Sequence, residues 1–250
     1  MKNKIRKLIS LSLICAASIQ AEVKLEAQFW SFDTDADASI GNSRDVLRDI
    51  NLADSLGTGG NEATMQLRGI IGDTHQAELV WLGVNVSGSD NIEVDSPVRG
   101  IPLSLRTKID TTFDGTFVRA AYRYAQSIPG VDAAFILGLQ YVDADTDFQS
   151  QAINLFASGD SLMPVIGVYV RANPLPGVNL QASVVTTNID INDTITRFTD
   201  LELGANFSFL HSFYGGIGFH ILSAEFENDS ENVDLEIKFT GPMIYAGLNW

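Results

Sequence analysis

The sequence predicts an all-β chain: a transmembrane, antiparallel, up-and-down β-barrel of about ten strands, with eight to twelve admissible. Three observations carry this reading. Hydrophobicity alternates with a period of two along most of the chain beyond residue 21. Charged side chains recur on the minority face of these runs, and short turns interleave with long polar segments.

Residues 1–21, MKNKIRKLISLSLICAASIQA, have the layout of a secretory signal peptide. Lys2, Lys4, Arg6 and Lys7 form a basic start, an apolar stretch runs from Leu8 to Ala17, and cleavage is expected after Ala21. Residues 22–250 then form one barrel domain. The leader holds the only cysteine, Cys15, so disulfides and thiolate metal sites are excluded from the remainder. It also holds four of the 16 Lys and Arg and no acid, so 12 cations against 31 Asp and Glu leave a charge of −19. Nucleic-acid binding, which depends on cationic neutralisation of phosphates, is thereby set aside. No apolar run beyond the leader reaches the ~18 residues of a spanning helix.

The clearest alternation is DLELGANFSF, where Leu201, Leu203, Ala205, Phe207 and Phe209 oppose Asp200, Glu202, Gly204, Asn206 and Ser208. VKLEAQFWSF, TFVRAAYRY, PVIGVYVRA and NLQASVVT repeat the scheme. Short turns rich in Gly, Pro, Asp and Ser fall at 72–75, 127–130, 174–177 and 210–212. Strands are therefore predicted at 22–33, 62–71, 76–87, 111–125, 132–143, 161–173, 178–189, 198–209, 213–225 and 233–250. Segment 98–110 reads ambiguously, as an extension of a hairpin outside the bilayer or as loop. The apolar spacing of DVLRDINLADSL is compatible with a short helix. The even positions of GPMIYAGLNW form an apolar row, whereas Leu235, Ile237 and Phe239 lie on odd positions. A bulge near Gly241–Pro242 is the expected phase change.

A soluble sandwich also alternates, but its core cannot hold unpartnered charges, each of which costs several kcal/mol. Lys24, Glu26, Arg68, Arg119, Arg123, Arg171, Asp200 and Glu202 all fall on the minority face, which favours a barrel with a polar lumen. The same face carries Gln28, Gln66, Gln140, Tyr169, Gln181, Asn206 and His220.

The leader, the alternation, the turn asymmetry and GPMIYAGLNW together resemble small Gram-negative outer-membrane β-barrels of the OmpA/OmpW-like group. DVLRDINL and FVRAAYRY are similar to segments of uncharacterised members. The resemblance implies location in the bacterial outer membrane, and it implies that Ile244, Ala246, Leu248 and Trp250 form the terminal signal read by the barrel-assembly machinery during insertion.

A barrel of this size leaves a lumen that side chains nearly fill. The polar set named above is expected to form an ion-paired plug, with a narrow channel for small solutes as the alternative. Asp33, Asp35, Asp37, Asp143, Asp145 and Asp147 continue the outward phase of their strands past the apolar run. There they are placed to meet lipopolysaccharide phosphates through divalent cations, which prefer hard oxygen ligands. No calcium-loop pattern accompanies them, so no dedicated metal site is assigned, and no cofactor. Glu225, Glu227, Asp229 and Asp190 continue in the same way. Catalysis would need a base beside a nucleophile or a bound water. His75 and His211 lie at the short turns, and His220 lies three residues from Ser223, on the opposite strand face. The expected protein is a non-catalytic monomer in contact with outer-membrane lipids, structural or surface-interacting in role. A lipid A-modifying enzyme is the second alternative.

Overall fold

The structure, a computed structural model, describes residues 22–42, 45–51, 62–98, 101–150, 154–191, 194–210, 212–228 and 233–250. The leader 1–21 and His211 lie outside them, as does Asp229.

Eleven strands follow one another: β1 (Val23–Asn42), β2 (Asp45–Asn51), β3 (Glu62–Ile71), β4 (His75–Val98), β5 (Ile101–Ile128), β6 (Val131–Ser150), β7 (Asn154–Leu175), β8 (Val178–Ile191), β9 (Thr194–Leu210), β10 (Phe213–Asn228) and β11 (Val233–Asn249). Each strand of β3 through β11 pairs with its sequence neighbour, β3 pairs with β1, and β11 pairs back onto β1. Ten strands thus close an antiparallel, up-and-down barrel, with β2 outside the ring. Closure leaves no free sheet edge in the wall, as a membrane-spanning sheet requires. At the seam Val23 N–H donates to Trp250 O over 2.9 Å and Trp250 N–H to Val23 O over 3.1 Å.

The short turns sit where the sequence places them. Gly130 and Gly177 adopt φ of 83° and 78°, the left-handed region that side chains other than glycine rarely enter. On the opposite side the strands run past their predicted ends. The β4–β5 ladder continues to Val98↔Ile101, so the ambiguous segment supplies the last residue of β4, Val98, and, with residues 101–110, the first third of β5. With ~9–11 residues sufficient to cross a bilayer, the remainder of these strands projects beyond it.

One open reading is resolved and one expectation is corrected. DVLRDIN is not helical: Asp45–Asn51 is a strand that folds back on β1, with Asn42↔Asp45, Gly41↔Val46 and Ile40↔Leu47 paired. A two-stranded partner was already available in the extension of β1, and a ladder satisfies the backbone without nucleating a helix. Nor is there a bulge at Gly241–Pro242. The β1–β11 register keeps one offset from Lys24↔Asn249 to Ile40↔Val233. Ile237, Phe239, Gly241, Met243 and Tyr245 therefore share a single face, and that face is the lumen, where all five are buried.

The opposite face of the barrel is an apolar belt. Phe29, Leu67, Leu79, Tyr122, Leu137, Val168, Leu203, Phe219 and Ile244 stand exposed around it, at least one from each of β1 and β3 through β7 and β9 through β11. Tyr124, Phe209, Phe213 and Trp250 gather at the short-turn end, the aromatic girdle of a membrane interface.

Candidate functional site

The lumen is stratified. Its lower half, towards the short turns, holds charges that strand phase alone turns inward. Arg68 on β3 reaches Glu26 on β1 at 3.3 Å and Glu202 on β9 at 2.6 Å. Arg119 on β5 lies 3.3 Å from Glu78 on β4 and 2.7 Å from Asp200 on β9. Arg123, two inward positions below, donates to the second oxygen of Glu78 at 2.5 Å. His220 on β10 meets Asp200 at 2.8 Å through Nε2. Gln66 donates to Glu202 at 2.8 Å and to Gln28 at 3.2 Å, and Gln28 donates to Glu26 at 2.8 Å. Every member is buried, so these bonds act in a medium of low effective dielectric, where they are strong when made and costly when broken.

Six of the eight charges read from the sequence as a lumen network therefore meet: Glu26, Arg68, Arg119, Arg123, Asp200 and Glu202. The other two stand nearer the mouth. Lys24 pairs with Glu22 at 3.1 Å, and Arg171 makes two hydrogen bonds to Asp132, of 2.9 and 2.6 Å. Sequence reasoning missed Glu78 and Asp132. Glu78 precedes VWLGVNV, where both faces of the strand are apolar and the alternation gives no phase. Its two-residue spacing from Gln76 was the available signal.

Above the ion pairs the lumen is apolar. Trp30, Phe32, Leu82, Val84, Val86, Phe113, Phe117, Met163, Val165, Phe198, Leu222, Ile237, Phe239 and Met243 form one buried cluster, joined by Ile136 and Val185, which sit lower, opposite Arg123 and Asp200 in the ladders. Trp30 is 0% exposed and stacks its ring 4.1 Å from that of His220, joining the two layers. Glycines on the facing strands let rings lie flat against the wall: a Cβ on Gly216 would sit 2.4 Å from Cζ of Tyr245, and one on Gly247 2.2 Å from Cζ of Tyr214.

Below the ion pairs a cavity of about 510 Å³ opens towards the short turns. Arg68, Arg123, Tyr169 and Tyr214 are among its lining residues. Tyr214 donates to Glu26 at 2.9 Å, and the guanidinium of Arg123 lies 4.6 Å from the centre of the Tyr169 ring.

At the far end, Asp33 and Asp35 on β1 and Asp143 and Asp145 on β6 are exposed. The side chain of Asp37 lies outside the described residues, as does that of Asp190. The two sets are separated by β3, β4 and β5 in the wall. Asp35 faces Lys238 across the seam. Asp145 faces Asp114 and Asp143 faces Asp160, while Asp147 faces Phe156. The β6 acids thus have two carboxylate neighbours that the sequence did not associate with them, because they lie on other strands. Glu225 pairs with Arg197.

Asp200, Glu202 and His220 have ligand atoms within 4.8 Å of one another, a metal-like spacing. Each of the two carboxylates already holds a guanidinium, so the arrangement serves ion pairing. His75 meets the Tyr122 hydroxyl at 2.6 Å on the outer face of the short-turn end.

No protein-family model and no curated protein sequence matches the chain. Among solved structures it is similar to the outer membrane protease OmpT from Escherichia coli, at 9% identity and a TM-score of 0.55 over 92% of this chain and 97% of that one. Ail, the attachment invasion locus protein of Yersinia pestis, matches at 13% identity and a TM-score of 0.39, over 93% and 100% of the two chains. The Pseudomonas putida toluene transporter TodX matches at 8% identity and 0.31, over 94% and 91%. Identities this low speak to fold alone: the chain has the architecture of a small outer-membrane β-barrel, closed by ten antiparallel strands.

Proposed function

We propose that this chain is a non-catalytic, monomeric integral protein of the bacterial outer membrane, structural or surface-interacting in role, with a lumen shut by its own side chains. The observation that carries this reading is the pair of barriers in series: a buried ion-paired layer beneath a buried aromatic and aliphatic layer. A hydrated ion would have to break the first and dehydrate to cross the second. The histidine–carboxylate pair lies under the apolar layer, which keeps it from lipid substrates at the outer face and supports a role without catalysis. In planar bilayers the purified barrel is expected to give no discrete openings. Reproducible unitary conductance steps would refute the closed lumen and leave the narrow channel in its place.

The outward row Ile244, Ala246, Leu248 and Trp250 at the end of β11 is the segment we assign to recognition by the assembly machinery. The acids of β6 supply chemistry for a surface role. Like charges directly opposite each other destabilise a sheet, and Asp143↔Asp160 with Asp145↔Asp114 form two such pairs. Divalent cations shared with lipopolysaccharide phosphates would relieve this repulsion. Chelation by EDTA is expected to loosen association with purified lipopolysaccharide; an affinity indifferent to EDTA would rule the bridge out.

A further inference from the structure

The cavity at the short-turn end is a polar cup rather than an open pore, because the ion pairs close it from above. This inference rests on the closed-lumen reading. Four cations and four carboxylates line the cup, Lys24, Arg68, Arg123 and Arg171 against Glu22, Glu26, Asp73 and Asp132. Each cation already holds a carboxylate: Lys24 holds Glu22, Arg68 holds Glu26 and Glu202, Arg123 holds Glu78, and Arg171 holds Asp132. The formal charges of the lining cancel and each of its cations is already paired, which leaves little net field to gather an ionic solute.

The wall from β7 to β10 is different in kind. Asn179 donates to Asn206 at 2.6 Å, Asn206 donates to Gln181 at 3.2 Å, and the Tyr169 hydroxyl donates to the same Gln181 oxygen at 3.3 Å. The oxygen of Asn179 and the nitrogen of Gln181 take no part in these bonds, so the wall offers an acceptor and a donor that are already oriented. Tyr169 and Tyr214 flank the amides, each an apolar ring with a polar tip. A fixed acceptor and a fixed donor on neighbouring amides, beside aromatic rings, match adjacent hydroxyl or acetamido groups on a C–H-faced ring. Their order before binding reduces the entropy that a ligand must overcome. A volume of about 510 Å³ lies in the usual range for small-molecule sites.

We propose that this cup binds an uncharged glycan from the periplasmic side, either a free oligosaccharide or the end of a cell-wall glycan chain. The test titrates the purified full barrel in detergent micelles with the trimer of N-acetylglucosamine, followed by calorimetry, with inorganic phosphate as the charged comparator. Saturable binding of the trimer is expected, weakened about tenfold by Asn206→Ala and abolished by Ser208→Trp. Ser208 lines the cup at an exposed position, so a large ring there blocks the mouth without disturbing the packed layers. Heat-modifiable migration on gels verifies that both variants are folded. No trimer binding at about 10 mM, tighter binding of phosphate, or binding unchanged in both variants would overturn the proposal. Retention of the barrel on insoluble cell-wall glycan would assign the polymer end; trimer binding without retention would assign the free oligosaccharide. Bilayer conductance on the same preparation reports the closed-lumen reading separately, so the two failures are distinguishable.

Discussion

Replacing Arg119 by methionine is expected to destabilise the folded barrel by about 3–5 kcal/mol, the cost of breaking a buried ion pair on one side only. Arg119 is 2% exposed and joins β4 to β9 across the lumen through Glu78 and Asp200. Methionine keeps most of the stem volume but removes every donor. Glu78 retains Arg123 and Asp200 retains His220, so each buried carboxylate loses one of two partners. The double variant Arg119→Met with Asp200→Asn removes a charge along with its partner and is expected to regain a large part of the loss. Urea titration of reversible folding into vesicles measures both. A single variant within about 1 kcal/mol of the parent, the level of an exposed pair, would show that the lumen is wetter than its burial implies.

Trp30→Ala should cost a similar amount, about 3–5 kcal/mol, through a different mechanism. The indole has no exposed surface and packs 4.9 Å from the Phe32 ring, 4.1 Å from His220 and 6.4 Å from Phe239. Truncation forfeits the transfer of a large apolar side chain and leaves a cavity that the closed wall cannot collapse to fill. Because the ion-paired layer lies beneath it, the variant is expected to remain electrically silent in bilayers. Openings in Trp30→Ala alone would mean that the aromatic layer is the sole barrier and that the charged layer is permeable. Trp30→Phe, which keeps a ring, should recover more than half of the lost stability.

These layers mark how far the sequence could be read. The inward phase of Arg68, Arg119, Arg123, Asp200 and Glu202 was legible, since each alternates with lipid-facing neighbours such as Leu67, Val118, Tyr122, Leu201 and Leu203. Glu78 escaped because the strand around it is apolar on both faces. The same ambiguity misplaced Ile237 and Phe239: an apolar row inside the lumen has the composition of one facing lipid, and a bulge was inferred where the strand only keeps its phase. The strand at 45–51 was not legible either, because its partner lies on the extension of β1 and not in the local pattern.

By itself the sequence determined the alternation, the rhythm of short and long connections, and hence a closed antiparallel barrel with charges inside. Only the tertiary structure decided which charges meet, since Arg68 and Glu202 lie 134 residues apart and are joined by the closure of the wall. It likewise decided that the charges are gathered below and the aromatic rings above. Period two specifies the face a side chain takes, whereas its height in the lumen depends on the stagger between strands, which no single strand encodes.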